Sequence, residues 1–350
     1  MEKVSSNKLR IFINQCLVSC SFSIEDASII ADLMTEADLS GADGHGIFRL
    51  SQYIKRIKSG GINIKPDINI NKESESTALV NGDNGMGHII MNFASSLAIE
   101  KASKTGIGWV GVKNSNHAGP ASLYAKMPLK RDMIGIYIAV GSANHLPPWG
   151  GVDMLLSTNP IAVAVPSMNE KPIILDMATT VTAYGKIKTA AQKNEKIPEG
   201  WMVDKLGNSI TDPNKSSEGF LLPIGDYKGY GLALIFGILA GTLNGAAFGK
   251  DVIDFNSDFI TPTNTGQLII ALSIERFSSL EVFKQSIDKV IKSMKSSEKL
   301  PEAEEIRVPG EGSERIRKER QVNGIPIDSK LIEKLNNLAK DLKVKPIQVI

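Results

Sequence analysis

Apolar positions recur at helical spacing near both ends of the chain. The pattern predicts helices through residues 7–60, one over 23–40 that begins at a Ser23 cap and another over 46–58. From about residue 305 the chain is again helical and strongly charged. We therefore expect residues 1–70 and 305–350 to pack together as one helical domain made from both chain ends.

The middle of the chain alternates between strand and helix patterns. Residues 62–80 change from helical spacing to apolar–polar alternation and end in a glycine-rich turn. Short apolar runs predict further strands within 107–117, 133–143, 160–166, 171–180 and 266–274, and longer runs predict helices over 88–105, from 228, and over 279–297. A mixed α/β fold follows, with residues 71–304 as the sheet domain.

Composition narrows the class of protein. The 350 residues are 42% hydrophobic with a formal net charge of +2, so a sizeable core is expected and nucleic acid is not an obvious partner. Glu314 and Glu319 interrupt the basic run around "RIRKER" (315–320), which favours a solvated helix face. The apolar run 231–243 is too short to span a membrane, and the first residues do not resemble a signal peptide. We expect a cytoplasmic protein.

No cluster of metal ligands is evident in the sequence, and no metal is expected. The two cysteines, Cys16 and Cys20, are interpreted as small apolar residues of a protein in a reducing compartment. The glycines of "GIGWVG" (106–111) match the spacing of a dinucleotide-binding loop, but a helix precedes them and a strand follows, which is the reverse of that motif. We interpret them as ending a helix and starting a strand.

The stretch "GHGIFRLSQY" (44–53) carries the first candidate site. If the chain is helical from His45, then His45, Arg49 and Tyr53 stack on one face. Arginine pairs with a carboxylate through two parallel hydrogen bonds, and a neighbouring imidazole can move a proton. The alternative is a helix start with exposed polar side chains.

Other polar groups follow predicted strands, where active-site clefts of α/β folds often open. His117 suits acid–base chemistry or is a hydrogen-bonded histidine in a capping loop, and Asn116 beside it could fix its tautomer or touch substrate. Ser142 lies in a stiff loop that could form a wall over an aromatic ring or simply turn a corner. Asp176 could accept hydrogen bonds from a ribose or cap the next segment, and Lys228 at a helix start suits a phosphate or is a surface lysine.

Together these motifs resemble the malate/L-lactate dehydrogenase family, which lacks a Rossmann fold. The matching stretches occur in the family's order: "GHGIFRLSQYIKRI", "NSNHAG", "PPWGG", "TNPIAVAVP", "LDMATT", "IPEGWMVDKLGN", "YKGYGLAL" and "VPGEG". The resemblance implies a mixed, largely antiparallel sheet domain with a helical domain from both chain ends. It also implies a homodimer with the active site near the subunit interface, and the motifs look closest to the ureidoglycolate dehydrogenase members.

The resemblance further implies an oxidoreductase that moves a hydride between NAD, or NADP as the alternative, and a small 2-hydroxy or 2-oxo acid. His117 and His45 each match a histidine that serves as the acid–base group in some members, and Arg49 and Tyr53 match substrate-side positions. The positions on the cofactor side are Ser142, Asp176, Met177, Ala178, Lys228, Gly310 and Glu311. Because an acidic group repels a 2′-phosphate, Asp176 favours NAD. The alternative function is a nicotinamide- or acid-binding protein without turnover.

Overall fold

The computed structural model describes residues 1–350, except for the side chain of Gln192. The strands are β1 (Glu2–Val4), β2 (Asn69–Glu73), β3 (Thr77–Asn81), β4 (Ile107–Ser115), β5 (Met133–Ala139), β6 (Ile161–Val165), β7 (Ile173–Met177), β8 (Met202–Asp204), β9 (Gly219–Leu221), β10 (Thr265–Ser273) and β11 (Ile325–Ile327). The helices are α1 (Ser6–Ser19), α2 (Ile24–Leu39), α3 (Leu50–Lys58), α4 (Gly87–Thr105), α5 (Ser122–Ala125), α6 (Tyr184–Lys193), α7 (Tyr227–Ala240), α8 (Leu280–Lys295), α9 (Glu311–Asn323) and α10 (Ser329–Leu342).

A large central sheet organises the fold. Its strand order is β2-β3-β4-β10-β5-β6-β7, with β3 and β4 parallel and the other neighbouring pairs antiparallel. The long apolar strand β10 lies at its centre, since every residue from Thr265 to Ala271 is buried. The predicted mixed, largely antiparallel sheet is confirmed.

The two chain ends meet beside this sheet. β1 pairs with β11 in antiparallel register, α1 contacts α10, and α2 contacts α9. One continuous apolar core includes residues of these terminal helices and of the sheet, such as Leu9, Val110 and Leu335. The division into a helical and a sheet domain stays a prediction.

Arginines 317 and 320 of α9 do not form the solvated face that their charge pattern predicts. Arg317 Nε donates to both carboxylate oxygens of Glu36 on α2, at 3.0 and 3.1 Å. The Arg320 side chain is 12% exposed and pairs with Asp43. The interpretation of "RIRKER" is therefore wrong at these two positions, because their partners lie far away in sequence.

The glycines of "GIGWVG" serve packing. Gly106 ends α4 in the left-handed region (φ 95°), and a Cβ on Gly108 would lie 2.0 Å from the Ala98 carbonyl oxygen. These contacts confirm the helix-to-strand interpretation. Within the described residues, the helices are too short or too polar to cross a bilayer.

Candidate active site

A cavity of about 550 Å³ opens between the main sheet, α6 and the loop before α3. Its lining includes four of the predicted site residues, His45, Arg49, His117 and Ser142. The volume is in the range typical of small-molecule sites.

His117 is the middle ring of a three-ring stack. The His45 ring lies parallel to it at 5.3 Å between centroids, and the Phe255 ring lies on the other side at 5.1 Å. Phe255 is 1% exposed, and its backbone N–H donates to the Ser142 carbonyl. The stack fixes the plane of the imidazole, so both ring nitrogens point in defined directions.

Each nitrogen of His117 has a neighbour of its own. Nδ1 lies 2.6 Å from the Tyr53 hydroxyl and accepts a long hydrogen bond of 3.3 Å from the Gly119 N–H. Nε2 lies 3.3 Å from His45 Nδ1. A backbone N–H can only donate, so these contacts assign the proton of the neutral ring to Nε2.

Both histidines are neutral near pH 7. Burial lowers the pKa of His117 well below its usual 6.5, and the neighbouring His45 and Arg49 lower it further. The same causes, burial first and then Arg49, lower the pKa of His45 to about 4. Burial raises the pKa of Tyr53, so its hydroxyl keeps its proton. A neutral imidazole and a protonated phenol therefore face each other.

Arg49 is held at the cavity wall with one nitrogen available. Nε donates to the Gly44 carbonyl at 2.9 Å, and Nη1 donates to Gln52 Oε1 at 2.7 Å and to Asn256 Oδ1 at 3.2 Å. Among the described residues, Nη2 has no hydrogen-bond partner. An anion in the cavity is the natural partner for that nitrogen.

The backbone between His45 and Tyr53 differs from the predicted continuous helix. His45 lies in a 3₁₀ turn, Asp43–His45, and the α-helix begins only at Leu50. The chain breaks at Gly46 because the carboxylate of Asp38 packs against it, where a Cβ would lie 2.1 Å from that carboxylate. Asp38 also accepts the Ile47 N–H at 2.7 Å. The continuous helix from His45 is wrong, although His45 and Tyr53 still meet at His117.

Arg320 holds the same loop from α9. Its Nη1 donates to the Asp38 carbonyl at 2.5 Å, and its Nη2 donates to Asp43 Oδ2 at 3.1 Å. The C-terminal helix thus supports the His45 turn. Sequence reasoning missed this role, since the pairing joins residues 277 positions apart.

Asn116 lies behind the cavity wall. It is 1% exposed, and its Nδ2 donates to the Asn84 carbonyl at 3.0 Å and the Gly85 carbonyl at 2.9 Å, while its Oδ1 accepts from Thr263. With its amide used in this way, it anchors the loop that carries His117. This geometry does not favour a direct contact between Asn116 and substrate.

The predicted cofactor positions other than Ser142 lie outside the cavity, along the outer edge of β7. Gly310 packs against Ile174, whose N–H donates to the Pro309 carbonyl. Asp176 lies two residues after Ile174 on β7, and its exposed carboxylate accepts the Ser122 N–H at 2.9 Å. Met177 and Ala178 complete the strand end.

The predicted cofactor positions continue beyond β7 to the start of α7. Ile224, just before this helix, donates its N–H to the Thr179 carbonyl, and Thr179 donates to the carbonyl of Thr158 in the cavity wall. Lys228 lies exposed in the first turn of α7 and makes no ion pair within the described residues. Next to Gly310, at the other end of this set of positions, the Glu311 carboxylate pairs with Lys295.

One buried polar atom inside the cavity lacks a partner. Gln267 on β10 is 1% exposed and donates its Nε2 to the Asn116 carbonyl at 3.0 Å, whereas its Oε1 accepts no hydrogen bond from the described residues. Burial raises the pKa of Tyr137, and the neighbouring Gln267 side chain offsets only part of that rise, without a hydrogen bond from the Tyr137 hydroxyl to Oε1. An unpaired amide oxygen suits a carboxamide N–H, which the nicotinamide group carries.

Fold and site together define a dehydrogenase that handles its nicotinamide cofactor without a Rossmann domain. Residues 4–336 match the family described as malate/L-lactate dehydrogenase, and the chain belongs to that family. The resemblance predicted from the motifs is thereby confirmed, and so is the assignment as an oxidoreductase.

Individual relatives are similar to this chain over almost its full length. The chain is 41% identical over 345 residues to malate/(S)-sulfolactate dehydrogenase of Methanothermus fervidus, with 98% of each chain covered. The structure of malate dehydrogenase from Pyrococcus horikoshii OT3 matches with a TM-score of 0.91 and 38% identity, covering 98% of this chain and 96% of that chain. Ureidoglycolate dehydrogenase (NAD(+)) of Escherichia coli K12 is 31% identical over 325 residues, covering 93% and 92%. The predicted likeness to ureidoglycolate dehydrogenases is confirmed, and the identity to the malate and sulfolactate enzymes is higher still.

Proposed function

We propose that this chain oxidises a small 2-hydroxy acid, and reduces the matching 2-oxo acid, with His117 as the acid–base group. The observation that carries the proposal is the convergence of His117, Tyr53 and Arg49 on one cavity. Arg49 binds the substrate carboxylate through Nη2, and the substrate oxygen takes the place of His45 at His117 Nε2. A bound nicotinamide cofactor supplies or accepts the hydride.

The Tyr53 hydroxyl lets His117 move a proton at Nε2. A phenol can donate to an unprotonated Nδ1 and, after rotating, accept from a protonated one. To take the hydroxyl proton of the substrate, Nε2 must first be unprotonated, so the ring reacts as the tautomer that carries its proton on Nδ1 and donates it to the Tyr53 oxygen. The proposed reaction therefore includes a change from the Nε2–H tautomer of the free site, and the imidazole ends the step doubly protonated. A carboxylate on Arg49 cancels one of the charges that lower the pKa of His117, so substrate binding itself makes the imidazole a stronger base.

We further propose NAD as the cofactor, held along the outer edge of β7. Gln267 Oε1 suits the nicotinamide carboxamide, Asp176 suits a ribose, and the free ammonium of Lys228 beside the α7 N-terminus suits the phosphates. A carboxylate at Asp176 disfavours the 2′-phosphate of NADP. A relative named ureidoglycolate dehydrogenase (NAD(+)) supports the same choice.

The same proposal includes a cytoplasmic homodimer. Along α7, the residues Leu232, Ile235 and Ile238 are 39%, 52% and 39% exposed. An apolar stripe of this kind typically marks an interface, and a second copy there would lie beside Lys228. Sedimentation at micromolar concentration is expected to show a dimer, and a monomer under those conditions would contradict it.

A panel assay tests the function. The protein is mixed with NADH or NADPH and a series of 2-oxo acids, and nicotinamide absorbance at 340 nm is followed. We expect turnover, faster with NADH. Binding of NADH without turnover of any 2-oxo acid would instead support the non-catalytic alternative.

A further inference from the structure

Two cationic side chains meet at a single neutral oxygen on the cavity wall. Asn256 Oδ1 accepts from Arg49 Nη1 and from Lys188 Nζ, both at 3.2 Å. The two nitrogens therefore lie no further apart than twice that distance. The amide orientation is fixed, because Asn256 Nδ2 donates to Asp254 Oδ1 at 2.9 Å.

The positive charge of this pair is only partly offset by neighbouring carboxylates. Burial lowers the pKa of Lys188, and the charge of Arg49 lowers it further. Asp254 opposes this, but it is exposed and engaged by Asn256, and no salt bridge joins a carboxylate to Lys188 or Arg49 among the described residues. An anionic ligand would relieve the repulsion between the two cations.

Lys188 belongs to a different wall from Arg49. It lies on α6, with its Nζ 5.5 Å from the centroid of the Tyr184 ring, and Tyr184 stacks on His145 at 4.0 Å. Arg49 precedes α3 on the side of His117. Since Arg49 has Nη2 available for the carboxylate next to the reacting carbon, the α6 wall faces the other end of a short acid.

We propose that Lys188 is a specificity-determining residue that binds a second anionic group, carboxylate or sulfonate, at the far end of the 2-hydroxy acid. This inference rests on the proposed function. An ammonium is a compact, rotatable charge and accommodates either a planar or a tetrahedral anion, unlike the fixed fork of arginine. The enzyme therefore prefers doubly charged substrates to singly charged ones of the same length.

The test compares matched substrates in the Lys188→Met variant, which keeps the aliphatic stem and loses the charge. With NADH, kcat/KM for oxaloacetate and for 3-sulfopyruvate is expected to fall roughly ten- to hundred-fold, mainly through KM. For 2-oxobutanoate, which lacks the second charge, kcat/KM should change less than about twofold. Comparing the two dianions shows which anion Lys188 prefers, and Lys188→Arg should restore part of the loss.

Lys193→Met at the exposed end of the same helix is the matched control and should leave all three values unchanged. Equal losses for the dianionic and monoanionic acids would mean that Lys188 shares the carboxylate bound by Arg49, and would overturn the inference. Unchanged values for all three acids would overturn it too.

A binding measurement separates this inference from the proposed function. Calorimetric titration with succinate and with butanoate needs no turnover, and only succinate should bind more weakly to Lys188→Met than to the native protein. If the native protein turned over no 2-oxo acid, the proposed function would fail, and equal succinate binding by both proteins would overturn the inference separately.

Discussion

The two walls of the cavity are built in different ways. The His117 wall belongs to the main core: Tyr53 is fully buried, and Phe255 is 1% exposed beneath the ring stack. The α6 wall belongs to a small separate cluster around Ile187 and Ile197 that packs against β8 and β9. The wall with the proposed proton-transfer groups, called the firm wall below, is thus part of the main core. The wall proposed to meet the far end of the substrate, called the appended wall, belongs to the small separate cluster. Changes in α6 can alter specificity without moving His117.

From the difference between the two walls, we expect the largest loss of activity on replacing His117. His117→Ala removes the group that moves the proton, so kcat should fall about a hundred- to ten-thousand-fold. His45→Ala removes one ring of the stack and should mainly raise KM, because the phenol contact to His117 Nδ1 remains. Steady-state kinetics with NADH and a 2-oxo acid measures both variants. Equal losses of kcat in the two would show that the histidines act as one unit and would refute this division of roles.

A smaller effect is expected at Arg49, on the boundary between the walls. Arg49→Lys keeps the charge but loses the fork that binds Gly44, Gln52 and Asn256 while leaving Nη2 for a carboxylate. We expect kcat/KM to fall roughly tenfold to hundredfold for every 2-oxo acid, whatever its second group. The uniform loss contrasts with the selective loss expected at Lys188. A decrease confined to dianionic acids would contradict the assignment of Arg49 to the carboxylate beside the reacting carbon.

The sequence predicted the firm wall better than the appended one. β10 and α4 have strong apolar patterns, and a histidine after a buried strand is a recognisable signal. The segment 184–193 has no such pattern, since its cluster buries few residues, and neither α6 nor Lys188 was predicted. Contacts between distant segments, such as Arg320 with Asp43, leave no local signal, because charge alone does not identify the partner.

His88, which the sequence did not predict as a notable residue, lies behind the firm wall. Its replacement should have the smallest effect on activity. It is fully buried against the edge of the Tyr53 ring, 5.7 Å between centroids, and neither ring nitrogen has a partner among the described residues. Burial, with a smaller contribution from His45, lowers its pKa to about 3. Its Nε2 faces Gly119 of the cavity lining, where a Cβ would lie 3.2 Å away.

Replacing His88 by leucine should therefore change the pH dependence of stability. Between pH 6.5 and about 3 the unfolded chain protonates this histidine and the folded chain does not, so its contribution is complete above pH 6.5 and is lost as the pH falls through that window. At pH 5 the loss is about 2 kcal/mol relative to pH 7.5. Urea denaturation at both values should show a smaller decrease in the free energy of unfolding for His88→Leu than for the native protein, with kcat nearly unchanged at pH 7.5. An identical decrease in both proteins would mean that His88 is already protonated or hydrated in the fold, and that the firm wall holds a polar site after all.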